Sequence, residues 1–266
     1  MKFIVDKWIK RASSLAIGCP QLYAGMTLAC FMLLQPASAE PKQASAQRDA
    51  ELVKSLLREN LSQRTFDFST VVEACSGMPV IPLNESPAHK RVIAAVEAAL
   101  AETIRELNQA DSPVRSLRRI NEASRFFEDG LMRRLNAMPN ISCEIPVTRH
   151  GQRQRSGYPD LRLVDEETSQ VFYLDPKLVE QSSFSSTLRT FYFEPKDETL
   201  KIIDPAVHLL IGISHDGKVG KWTFGDWKLS DLSHLKVRLK AEFQASNAEL
   251  YRDQNEARAM EGSAQD

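Results

Sequence analysis

Apolar positions recur every three or four residues through the first half of the chain and in short runs through much of the second. That change of period predicts helices first and a sheet afterwards. A helix is expected over 50–61, with Val53, Leu56, Leu57 and Leu61 on one face. The alternation over 66–72 reads as a strand leading to Cys75. Ser86-Pro87 places a capping side chain before a proline at the first helical position, and Ile93, Val96, Leu100, Ile104 and Leu107 follow at helical spacing. Ser112-Pro113 repeats the signal above Leu117, Ile120, Phe127, Leu131 and Leu135. Beyond Pro139 the runs at 161–164, 171–174, 188–193, 207–214 and 222–229 read as strands. His215-Asp216-Gly217-Lys218 forms the turn between the last two. Leu232, Leu235, Leu239 and Phe243 predict a closing helix. The fold class is therefore α+β: a mixed β-sheet flanked by helices.

The N-terminus has a different character. Lys2, Lys7, Lys10 and Arg11 precede an uncharged stretch over 13–34, and Pro36-Ala37-Ser38-Ala39 supplies a helix break and a small-x-small site. Secretory machinery reads these features in that order, so 1–39 is expected to be a signal peptide and the protein periplasmic or secreted. Uncleaved, the same stretch would approach the roughly 20 residues that span a bilayer, and would be the protein's only route to a membrane. The remaining chain divides into a mainly helical part at 40–138, a β-rich core with its closing helix at 139–251, and a polar tail at 252–266. Residues 40–48 read as a flexible leader.

Cleavage after Ala39 removes four basic groups and Asp6, moving the formal charge from −1 to −4. A mildly acidic chain has no global affinity for nucleic acid, so any such site must be a local patch. Two cysteines remain, Cys75 and Cys143, and in an oxidising compartment such a pair is a disulfide candidate. No CxxC or His/Cys cluster offers a thiolate zinc site.

One grouping carries chemistry. Tyr158-Pro159-Asp160 opens one apolar run; a polar turn follows; the next run ends in Asp175-Pro176-Lys177. If the two runs pair as a hairpin, Asp160 and Asp175 meet at one sheet edge, with Lys177 two residues on and on the same face. Two carboxylates suit Mg²⁺, which takes hard oxygen ligands and keeps waters. A lysine beside them can stabilise charge developing on an attacked phosphate. Of five acid-x-Lys triplets, at Glu40, Asp175, Glu194, Asp216 and Asp226, only that at Asp175 follows a Pro-Asp and two apolar runs.

On these residues the sequence resembles the PD-(D/E)xK nuclease superfamily, which includes many type II restriction endonucleases. The resemblance is strongest over about twenty residues, Pro159-Asp160 through Asp175-Pro176-Lys177. It implies a restriction-endonuclease-like core, phosphodiester hydrolysis, Asp160 and Asp175 as metal ligands, Lys177 as catalytic lysine, and Mg²⁺ or Mn²⁺ as cofactor. DNA is the implied substrate, and a second copy of the chain is an admissible partner. A further acid from a preceding helix is expected, with Glu122, Glu128 and Glu144 all open. The glutamine-x3-tyrosine helix of the recombination-type branch is absent after Lys177.

Arg149, Arg153 and Arg155, in the loop running into Tyr158, are candidate phosphate contacts, with Arg189 a further one. The arginines at 115, 118, 119, 125, 133 and 134 read instead as a solvated helix surface. Trp222, Trp227, Phe191 and Tyr192 read as core, His208 as a buried structural histidine and His215 as a turn residue. Gly212-Ile-Ser214 does not match the G-x-S-x-G elbow of serine hydrolases. The competing reading is a non-catalytic envelope module whose helices bind a partner. It predicts Asp160, Asp175 and Lys177 dispersed into solvent or tied into ordinary salt bridges.

Overall fold

The computed structural model describes residues 42–61, 63–187, 191–240 and 242–247. The leader at 1–39, Arg189 and the tail at 252–266 lie outside them. Two compact units divide at Arg58. Helix α1, Lys42–Arg58, belongs to the first. It begins within the stretch expected to be a leader, because Gln, Ala and Arg are good helix formers.

The second unit is built on a five-stranded sheet of order β2-β3-β4-β5-β6. The strands are β2 (Ile141–Glu144), β3 (Leu161–Asp165), β4 (Gln170–Glu180), β5 (Ala206–His215) and β6 (Phe224–Asp231). All neighbours are antiparallel except β4 and β5, so the sheet is mixed, as expected. β5 is almost wholly buried because both sheet faces are covered. One face carries Leu161, Leu163, Phe172, Leu174, Leu209 and Ile211 against α3 (Pro87–Leu107) and α4 (Ser124–Leu135). The other carries Val171, Tyr173 and Ala206 against α2 (Phe68–Ser76), Tyr158, Leu200 and Ile202.

Local chemistry sets the element ends. Ser86 caps α3 by accepting from the His89 amide at 3.3 Å. Gly77, at φ 74°, closes α2 in the left-handed region. Gly130 lets α4 approach α3: a Cβ there would sit 2.6 Å from Thr103 Cγ2. Thr103 is buried and its hydroxyl is engaged with the Ala99 carbonyl, so it has little room to yield. We expect Gly130→Ala to destabilise the protein by about 1–3 kcal/mol despite alanine's better helix propensity. Adding Thr103→Ser, which removes the obstructing methyl, should recover most of it in a denaturant melt.

Several expectations are corrected. The strand at 66–72 is only β1, Thr65–Asp67; Phe68, Val72 and Cys75 recur at helical spacing and form α2. The helix expected from Ser112-Pro113 is broken into two 3-10 turns before α4. Leu117 between them is extended, and its carbonyl accepts the Trp222 indole N–H at 2.8 Å. Of the strand at 188–193, the described residues 191–193 form no ladder. Phe191 and Phe193 instead pack edge-on against Phe68 and Tyr158. The closing helix from Leu232 is a 3-10 turn followed by β7 (Lys236–Arg238), which pairs with β1. His215 is a buried strand end against Trp222 rather than a turn residue. Tyr192, expected in the core, is exposed.

The disulfide is not formed: Cys75 and Cys143 are both free thiols. Cys143 packs in the α3/α4 layer and Cys75 against the α2 layer, so the sheet lies between them.

Candidate active site

β3 and β4 form the expected hairpin, with Leu161 opposite Leu174. One step beyond that pair, Asp160 meets Asp175. β3 ends here while β4 continues to Glu180, paired only with β5. A proline at 176 is tolerated because β4 has a partner on one side alone at that point. Asp175 and Lys177 therefore lie mid-strand at an open step in the sheet, not at a strand end.

The two carboxylates come together. Asp175 is 1% exposed. Burial first, then the charge of Asp160 within hydrogen-bonding reach, pushes its pKa up from 3.8 to about 7, against the opposing pull of Lys177. Lys177 Nζ stands 2.7 Å from Asp175 Oδ2 and donates to Asp160 Oδ2 at 3.4 Å. The shorter contact is an ion pair and is the partner of the buried Asp175 Oδ2. Burial works against the lysine's charge, but Asp175 and Asp160 outweigh it and raise its pKa.

Of the three acids held open, Glu128 is the one on which the charge of Asp160 acts. Burial, and next Asp160, raise its pKa, with Arg155 opposing. Glu122 is exposed on a 3-10 turn, and Glu144 pairs with Arg153 at 3.3 Å and Arg162 at 3.5 Å.

The basic loop is largely engaged inside the protein. Arg155 bridges Glu128 at 2.8 Å and Asp129 at 2.5 Å, linking the loop to α4. Arg149 pairs with Asp197 at 2.6 Å and donates to the Cys75 and Ser76 carbonyls at the end of α2. Arg153 is the most exposed of the three.

Three features escaped sequence reading. Tyr158 hydroxyl and His208 Nδ1 lie 2.7 Å apart, both buried, directly before Pro159-Asp160. Burial lowers the His208 pKa to about 3, so it is neutral, in keeping with the structural role expected of it. Arg162, Asp204 and Tyr173 interlock beside the hairpin, at 2.8–2.9 Å. Lys201 is fully buried within electrostatic reach of Asp160, Asp175 and Glu128. A charged residue inside the apolar stretch Leu200-Lys201-Ile202-Ile203 was the available signal.

The donor set fits a divalent cation. A buried carboxylate whose ionisation is disfavoured by burial and by a second carboxylate gains from added positive charge, which Lys177 supplies here from 2.7 Å. Among the described residues no three His, Cys, Asp or Glu side chains are arranged as a complete metal cage. Mg²⁺ needs none, since it binds through one or two carboxylates, waters and substrate phosphates. A depression of about 510 Å³ lies elsewhere, lined by Glu106, Ser112, Phe126, Asp129 and Arg133.

A five-stranded mixed sheet flanked by helices, with the paired acids and lysine where β3 ends, is the architecture of a restriction-endonuclease-like core. Residues 61–254 match the type II restriction enzyme MjaV family, and the chain belongs to it. The chain is 30% identical over 215 residues to the type II restriction enzyme MjaV of Methanocaldococcus jannaschii, covering 76% of this chain and 92% of that enzyme. No solved structure matches the chain significantly.

Proposed function

We propose that the protein is a metal-dependent endonuclease that hydrolyses phosphodiester bonds of DNA, using a PD-(D/E)xK-type site. The observation that carries this reading is the meeting of Asp160 and Asp175 across the hairpin, with Lys177 over both. Family membership supports it from outside the site. The envelope-module reading predicts these side chains dispersed into solvent or tied into ordinary salt bridges; Lys177 does pair with both acids, and what favours the nuclease reading is that the two carboxylates meet in a buried step.

In this reading Asp160 and Asp175 hold the ion, Mg²⁺ or Mn²⁺, and Glu128 stands as the third acid. The bound ion supplies a water of lowered pKa and neutralises charge on the phosphate. Lys177 keeps its proton at neutral pH and turns its ammonium to the charge that builds on the phosphate oxygens. Arg155 fixes Glu128 toward the pair, and Arg153 and Arg189 are the groups assigned to the DNA backbone. Restriction-type activity further proposes two copies acting on duplex DNA. The test is digestion of purified genomic DNA with Mg²⁺ or Mn²⁺: discrete fragments support a type II enzyme, a smear supports a non-specific nuclease, and intact DNA rejects the reading.

We also propose export. The leader-like residues 1–39 precede the family match, so signal and catalytic unit are separate in sequence. In the native host, N-terminal sequencing should read from Glu40 on protein recovered from the envelope or medium. Intact Met1 on cytoplasmic protein would overturn this.

A further inference from the structure

Lys201 lies outside the acid-x-lysine grouping, in the connection between β4 and β5, and is completely buried. Its neighbours Leu200 and Ile202 belong to the apolar layer on the α2 face. Lysine is almost never fully buried unless paired. Yet among the described residues no acid is within ion-pair distance of its ammonium. The contact it makes is a 3.5 Å hydrogen bond donated to the Gln154 carbonyl.

What surrounds it at longer range is the candidate site. Asp160, Asp175 and Glu128 all act on its charge, with Lys177 opposing. Burial lowers its pKa to about 8 and the three acids resist, so the ammonium remains protonated at neutral pH. An apolar side chain would avoid the cost of burying a charge beside Leu200 and Ile202. A charged lysine buried here is instead offset by the acids that act on it.

We propose that Lys201 is a positioning residue of the active site: a fixed, buried ammonium that offsets the acid cluster so that an anionic phosphodiester can settle beside it. The inference rests on the nuclease reading. Asp160, Asp175 and Glu128 together repel a phosphate; Arg155 pairs with Glu128 and Lys177 with Asp175 and Asp160, which leaves one acid charge of the three unbalanced. Lys201, fully buried and tied to the Gln154 carbonyl, supplies the balancing charge. Two shifts of opposite sign follow from this one charge. Without it the site is more negative, so it binds a cation more tightly and stabilises a phosphate-bearing transition state less well.

The test uses the full chain with Lys201→Met and Lys201→Gln; glutamine keeps a donor for the Gln154 carbonyl and removes only the charge. Thermal melts establish folding. Mn²⁺ binding is read by electron paramagnetic resonance at pH 7, cleavage by single-turnover kinetics, and DNA affinity without metal. Both variants should bind Mn²⁺ about threefold or more tightly, cut about tenfold or more slowly, and bind DNA without metal no more tightly than wild type. A Lys201→Gln protein that matches wild type would show that the carbonyl tie matters and not the charge, overturning the proposal. Unchanged or weaker Mn²⁺ binding in folded variants would also overturn it. If Lys201→Met does not fold, Lys201→Met with Glu128→Gln removes one acid with the lysine and should fold; failure there counts against charge balance. A wild type that cuts nothing rejects the nuclease reading itself, and the Mn²⁺ shift then still decides whether Lys201 acts on the acids.

Discussion

Asp175→Asn is expected to abolish cleavage and, in metal-free buffer above neutrality, to raise the melting temperature. The loss of activity follows from removing one of the two carboxylates assigned to the ion, and a fall of roughly 10³-fold or more is expected. The gain in stability follows from linkage. The carboxyl of Asp175 has its pKa raised by burial and by Asp160, from 3.8 to about 7. A raised pKa means that the folded state favours the protonated acid, so this stabilisation is full below about pH 4 and is lost as pH rises through about 7. Asparagine resembles the protonated acid at every pH. The variant and wild type should therefore melt together near pH 4 and separate by about 5 °C at pH 8. The ion pair that Lys177 forfeits limits the gain. A variant less stable than wild type at pH 8 would mean that Asp175 serves the fold, with Lys177 as its structural partner.

Lys177→Met should reduce cleavage by about 10²–10³-fold while tightening Mn²⁺ binding by about tenfold. Its ammonium stands between the two carboxylates, 2.7 Å from Asp175 Oδ2 and 3.4 Å from Asp160 Oδ2, and so competes with a metal for the same oxygens. Removing it frees those oxygens and also removes the group that faces the phosphate. Calorimetry on the metal-free protein reads the first effect and single-turnover cleavage the second. Weaker Mn²⁺ binding in a folded variant would show that Lys177 builds the pair and does not compete for it.

How legible this site was depends on how local each part is. Asp160 and Asp175 could be paired from sequence because two alternating runs flank a short polar turn, and the register of such a hairpin follows from pattern. Glu128 could be placed on a helix but not chosen over Glu122 or Glu144, because the choice depends on the packing of α4 and on Arg155. Lys201 stands out as a charge within an apolar stretch but could not be placed, because it enters through an irregular connection whose course no periodicity describes. The same limit explains the errors in the fold. The residues from Leu232 onward carry a spacing of four, yet Asp231 caps a single turn there by accepting from the Ser233 amide. The chain then pairs with Thr65–Asp67, far away in sequence. Arg149 was read as a phosphate contact from its loop, while Asp197 and the end of α2, which engage it, come from distant segments.

The most direct test is cleavage of duplex DNA by the purified full chain, with Mg²⁺ and with chelator, for wild type and Asp160→Asn. Asp160 is the informative position because it is less buried than Asp175, so the change should leave the fold intact. The account predicts cutting by wild type in Mg²⁺ that stops with chelator and is lost in the variant. Cutting that survives either change would contradict it.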